Sequence, residues 1–121
     1  MTERVELDQL LDVAGGFGTT PMLLTTDPDG RPRAAAVSLT WEGLTARVRA
    51  GRRSVANAGE RALVSLLWPA PPGERFALLV DGTATATEPD DDPKAGGWVT
   101  FEVSTAILHV VTSKVTHPGP A

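Results

Sequence analysis

The sequence predicts a mainly β domain in which six antiparallel strands close, or half close, into a barrel, with a helix before the first strand and a short helix after the third. Three observations carry that expectation. Short segments alternate apolar and polar side chains, as strands with one buried face do. Turns rich in proline and glycine separate these segments, and connections this short suit antiparallel neighbours. Strands packed so densely along a chain of 121 residues favour a sheet that curls on itself over an open one.

The elements follow in order. Leu7, Leu10, Leu11 and Ala14 fall at helical spacing and Gly15-Gly16 ends the run, which predicts the N-terminal helix. Pro21–Thr26 reads as the first strand. Asp27-Pro28-Asp29-Gly30 puts proline and glycine where a turn uses them, and Pro32–Thr40 follows as the second strand of a hairpin. Trp41–Gly43 leads into Leu44–Ala50, where Leu44, Ala46, Val48 and Ala50 share one face and Thr45, Arg47 and Arg49 the other. Ser54–Gly59 breaks that period and reads as one or two helical turns starting near Arg53 or Ser54. Ala62–Trp68 is apolar on both faces, which predicts a strand packed from two sides. Pro69–Gly73 is a loop. Phe76–Thr87 alternates again, with Gly82 as a candidate bulge. Glu88–Pro93 reads as an acidic surface loop, and Trp98–Ser113 as a long last strand bent near Ser104. One domain spanning 1–121 is expected, with 1–5 and 116–121 as flexible ends.

Composition narrows the function classes. Without cysteine the chain has no disulfide, no thiolate nucleophile and no Cys-type metal site. No apolar run approaches the ~20 residues needed to span a bilayer. The N-terminal stretch is acidic and amphipathic, unlike a secretory signal, so a cytoplasmic location is expected. A net charge of -4 argues against nucleic-acid binding, yet seven of the nine arginines fall within residues 31–61, against only Glu42 and Glu60. A basic island on an acidic chain suits one local anionic ligand.

The segment Val48–Asn57 concentrates that charge. A strand ends in glycine, and two arginines and a serine then open a helix. A helix start offers unpaired N–H groups and the positive end of the dipole, and arginine adds a planar fork that matches phosphate oxygens. Other chemistries have thinner support. His109 lies in an apolar strand beside Ile107 and Val111, and His117 sits in the proline-bearing tail, so the pair makes a poor metal site. Asp90-Asp91-Asp92 reads as a solvated turn, and neither a nucleophile elbow nor a P-loop occurs. No catalytic acid or base and no metal ligand is assigned.

The order of elements sharpens this picture. A helix, a hairpin carrying Asp29-Gly30-Arg31-Pro32, a third strand, Arg52-Arg53-Ser54 with Asn57 opening a helix, and the strand Leu63–Leu67 resemble the pyridoxamine 5′-phosphate oxidase-like family of FMN-binding split barrels across about residues 7–113. The resemblance implies a six-stranded antiparallel split β-barrel and a flavin-dependent oxidoreductase. It also implies a homodimer with FMN at the subunit interface and a small-molecule substrate stacking on the flavin. By position, Arg52 and Arg53 would contact the FMN phosphate, with Ser54 donating a hydrogen bond and Asn57 in the same cluster. Arg33 and Ser38 would run beside the isoalloxazine, and Arg47, Arg49 and Ala50 would line the same groove. Trp98 of a partner subunit would complete the pocket. A deazaflavin is the alternative cofactor, and a non-catalytic flavin, deazaflavin or haem binding protein the alternative role. Val55 and Ala56 stand where the family has a further basic residue, and no substrate-phosphate motif appears near the C-terminus, so pyridoxine-phosphate oxidation itself is not expected.

Overall fold

A computed structural model describes residues 2–111. Its strands are β1 (Thr2–Arg4), β2 (Met22–Thr26), β3 (Pro32–Ala36), β4 (Ser38–Glu42), β5 (Thr45–Ala50), β6 (Leu63–Trp68), β7 (Phe76–Pro89) and β8 (Gly97–Val110), and its helices are α1 (Leu10–Gly15) and α2 (Arg52–Glu60). A 3-10 turn at Leu7–Gln9 leads into α1.

All strand pairs are antiparallel and lie in the order β3-β2-β6-β7-β8-β5-β4. The first half of β8 pairs with β5, and its second half with β1. The two ends of that order, β3 and β4, are consecutive in the chain and meet at Val37. The sheet therefore curls until its edges are one continuous stretch of backbone, and Val37 and Leu39 donate N–H bonds to the carbonyls of Pro21 and Thr19 across the seam.

Eight strands replace the six expected, for two reasons. Pro32–Thr40 keeps its alternation, but its partner changes at Val37 from β2 to β5, because closing the curl requires one strand to leave one neighbour and join another. Thr2–Arg4, expected to be flexible, pair with Ile107–His109. Leu44, expected on the inward face, sits in the turn before β5 and is exposed, whereas Ala46, Val48 and Ala50 are buried as expected. The β6 segment is covered on one face only. Val64, Leu66 and Trp68 are buried while Leu63 is 80% exposed, since no described element lies over the outer side. The last strand ends at Val110; Thr112, Ser113, His117 and the 116–121 tail lie outside the described residues.

The core is small and aliphatic. Leu10, Leu23, Leu66, Leu78, Val48, Val80 and Val99 are fully buried around Phe101 and Trp68. Each such side chain contributes roughly 1.5–3 kcal/mol by leaving water. Trp68 donates its Nε1–H to the Gly18 carbonyl at 2.9 Å and stacks on Trp41. The expected bulge is present. Asp81 pairs with Thr105 and Gly82 with Val103, so the extra residue is Ser104 of β8, opposite Gly82. A Cβ on Gly82 would lie 2.2 Å from the Glu102 carbonyl oxygen and 2.6 Å from Phe101, so only glycine fits there. No described helix is long and apolar enough to cross a membrane.

Candidate anion-binding site

The helix expected from Ser54 begins two residues earlier. Gly51, in extended conformation, is its N-cap and supplies no side-chain oxygen, and the first turn holds no acidic residue. The first intrahelical bond runs from Val55 N–H to the Gly51 carbonyl at 3.0 Å. The N–H groups of Arg52, Arg53 and Ser54 thus lack an intrahelical acceptor, as at any helix start. Arg52 and Arg53 occupy the first two helical positions, where the dipole disfavours cations. Ser54 is buried with Val55, Asn57 and Ala58 on the face that packs against the barrel, and Arg52 and Arg53 are exposed.

Asp27 organises what lies beside that turn. It follows β2 with only 2% of its surface exposed, and it closes the hairpin turn by accepting the Gly30 N–H at 2.9 Å on its carbonyl. Its carboxylate accepts hydrogen bonds from Arg33 Nε at 2.5 Å and Asn57 Nδ2 at 2.8 Å, and it pairs with Arg53 Nε at 3.1 Å. These donors, Arg33 foremost and then Asn57, hold the Asp27 carboxyl below its ordinary range, and Asp27 in turn raises the Arg33 guanidinium. The side chain of Arg53 stays 66% exposed and that of Arg33 43%. Asn57 also donates to Thr25 Oγ1 and accepts from Arg61 Nη2, and Arg61 Nε donates to the Thr26 carbonyl. Arg61 therefore fastens the end of α2 to β2.

Two further arginines form a second group on the outer face of the sheet. Arg47 and Arg49 alternate with the buried residues of β5, and their guanidinium groups lie 4.5 and 5.5 Å from the Trp98 ring centroid. Arg47 Nη2 donates to Glu88 at 3.1 Å, and Arg49 holds Asp90 with two hydrogen bonds, one of 2.8 Å. That fork lowers the Asp90 carboxyl and raises the Arg49 guanidinium. Ser38 is exposed on β4 directly across from Arg49. Ala50 faces inward at 5% exposure, so only its backbone borders the surface.

The structure thus brings Arg33, Arg53 and Asn57 together on Asp27, and Ser38, Arg47 and Arg49 together near Trp98. Arg52 stands apart, lining a hollow of about 180 Å³ with Val55, Ala56, Pro89 and Gly96. Gly96 closes that hollow. Its φ is +89°, and a Cβ there would fall 2.1 Å from the Ala50 carbonyl oxygen. A separate apolar hollow of about 300 Å³, bounded by Val13, Phe17, Phe76 and Leu108, contains none of the expected site residues.

Sequence reasoning missed Asp27, Glu88 and Asp90 as members of the site. Asp27 reads as an ordinary turn residue, although the hairpin register that sets Thr26 opposite Pro32 already puts it beside Arg31–Arg33. The partners of Arg47 and Arg49 are each 41 residues away, and no local signal announces them.

No family model matches the chain, and no curated protein does. Solved structures do. The chain is similar to an FMN-binding protein from Syntrophomonas wolfei subsp. wolfei, with a TM-score of 0.66 and 12% identity over 87% of this chain and 86% of that one. It is similar to a protein from Clostridium acetobutylicum related to general stress protein 26, of the pyridoxinephosphate oxidase family, with a TM-score of 0.66 and 14% identity over 88% and 91%. An F420 reductase matches with a TM-score of 0.61 and 19% identity over 73% and 88%. Likeness at these identities is likeness of fold: the chain has the split-barrel fold of the pyridoxamine 5′-phosphate oxidase-like, FMN-binding proteins.

Proposed function

We propose that the protein binds a flavin nucleotide, FMN, by its phosphate at the start of α2 and serves as a flavin-dependent oxidoreductase. The observation that carries this reading is the pair Arg52-Arg53 on the first turn of a helix that no side chain caps. Cations at that end oppose the dipole, and an anion held between them and the free N–H groups turns the conflict into attraction.

The donor set fits a phosphate monoester. Two guanidinium groups supply charge, and the N–H groups of Arg52, Arg53 and Ser54 supply directed donors, with the Ser54 hydroxyl at the inner edge. On this reading Ser38, Arg47, Arg49 and the Ala50 backbone border the ring, with Trp98 of the same chain rather than of a partner beside Arg47 and Arg49. Arg33, expected beside the isoalloxazine, belongs with Asn57 at the phosphate end because Asp27 holds it next to Arg53. Bound FMN would supply hydride and electron transfer, and the chain's residues bind it, orient it and leave one face open to a small-molecule substrate. A homodimer belongs to the same proposal. Met22, Leu24, Leu67 and Leu79 leave the outer sheet face partly exposed and apolar, which supports a second copy there. The similarity to an F420 reductase makes a deazaflavin the alternative occupant, and a cytoplasmic setting with nicotinamide reductants suits either.

Thermal unfolding with added FMN, riboflavin and deazaflavin tests the binding. A ligand at 100 times its Kd adds about 2.7 kcal/mol, so FMN is expected to raise the melting temperature clearly. Bleaching of the bound flavin by a reduced nicotinamide separates the oxidoreductase from a non-catalytic carrier. Absence of stabilisation by every flavin and deazaflavin refutes the reading.

A further inference from the structure

Asp27 presents a paradox for an anion site, because a buried carboxylate stands within 3.1 Å of an arginine meant for phosphate. Coulomb's law alone makes such a group an obstacle, since it cancels one positive charge and repels the incoming ligand. The way it is engaged says otherwise. Arg33 reaches it from β3 and Arg53 from α2, and the nearest atom of each guanidinium is Nε rather than a terminal nitrogen. The two arginines meet different oxygens, Oδ2 and Oδ1, and Asn57 Nδ2 fixes the carboxylate on Oδ1. Arg33 is hydrogen-bonded by its inner edge and Arg53 is held beside the same carboxylate as an ion pair, while much of each side chain stays in solvent.

We infer that Asp27 is a positioning residue that aims the terminal nitrogens of Arg33 and Arg53 at one phosphate group, making Arg33 the second arm of the clamp. This rests on the phosphate reading above and adds what that reading lacks. Val55 and Ala56 leave no further cation on the first two turns of α2, and Arg33 supplies it from across the hairpin. Pinning removes rotamer freedom that a free arginine would lose on binding, so less is lost when the ligand arrives. A carboxylate can serve three nitrogen partners at once, whereas an amide offers one acceptor oxygen and turns an N–H2 toward the other donor.

The sign of one substitution decides the matter. Asp27→Asn removes the negative charge while keeping the shape. If charge dominates, FMN binds more tightly; if positioning dominates, it binds more weakly. Titration of wild type and Asp27→Asn with FMN and with riboflavin is expected to show FMN weakened ~10-fold or more and riboflavin changed less than ~2-fold. Equal weakening of both ligands marks a structural lesion and overturns the inference. Unchanged or tighter FMN binding in Asp27→Asn overturns the inference while leaving the phosphate reading intact, provided wild type prefers FMN. Wild type binding FMN and riboflavin equally overturns both. Should Asp27→Asn fail to fold by circular dichroism, Arg33→Gln carries the test: the same FMN-specific loss supports the second arm, and no loss overturns it.

Discussion

The Asp27 carboxylate, buried just past the end of β2, lies 3.1 Å from Nε of Arg53 on the first turn of α2. This ion pair joins the tip of a hairpin to the helix whose start is the candidate anion site, so the geometry of the site depends on both. With Arg33 and Asn57 on the same carboxylate, four side chains from the β2–β3 turn, β3 and α2 form one polar cluster at the barrel's edge.

Acid should loosen that cluster. Arg33, then Asn57, hold the Asp27 carboxyl below its ordinary range, and Arg49 does the same to Asp90. A carboxyl whose folded pKa is depressed gives stability that is complete above its unfolded pKa, ~3.9, and is lost as pH falls through the folded value. Denaturant midpoints are therefore expected to stay level from about pH 7 to pH 5 and to drop below about pH 4. Asp27→Asn should drop less steeply over the acid range. Parallel curves would remove Asp27 from the account.

Gly82 tests the bulge. With a Cβ 2.2 Å from a carbonyl oxygen and 2.6 Å from the Phe101 ring, Gly82→Ala forces the crossing of β7 and β8 apart. Overpacking of this kind costs about 1–3 kcal/mol, so the melting temperature should fall by several degrees. A melting temperature equal to wild type would mean that the bulge is not held against Phe101.

The Arg47–Glu88 pair should matter little for stability. Its side chains are 40% and 61% exposed, and exposed pairs contribute about 0–1 kcal/mol. Arg47→Ala is expected to shift the unfolding midpoint by no more than that. Because its guanidinium covers Trp98 at 4.5 Å, the same variant should make tryptophan fluorescence easier to quench with acrylamide. A large stability loss with unchanged quenching would contradict the placement.

What the sequence made legible was local. The alternation of Ala46, Val48 and Ala50, the turn at Asp27–Gly30 and the bulge at Gly82 each rest on neighbours a few residues away, and all appear in the structure. The change of partner at Val37 was hidden, because it is set by carbonyls at Thr19 and Pro21 and by the need to close the curl. The outward side of β6 looked like a second buried face because its composition is apolar, and composition does not say what covers it. Arg52, Arg53, Ser54 and Asn57 were found as candidates from their place at a helix start, whereas Asp27, which joins two of them, was not. Its role arises only when the hairpin register and the docking of α2 bring Arg33 and Arg53 to one carboxylate. The role of Arg61 was hidden for the same reason, since its acceptor at Thr26 is 35 residues away.

The most direct measurement compares FMN with riboflavin, which differ by the phosphate alone, in wild type and Arg53→Ala. Wild type is expected to bind FMN more tightly than riboflavin. Arg53→Ala is expected to lose ~10-fold or more of its FMN affinity, with riboflavin binding within ~2-fold of wild type. Equal losses for both ligands, or no loss for FMN, would contradict the assignment of a phosphate to the start of α2.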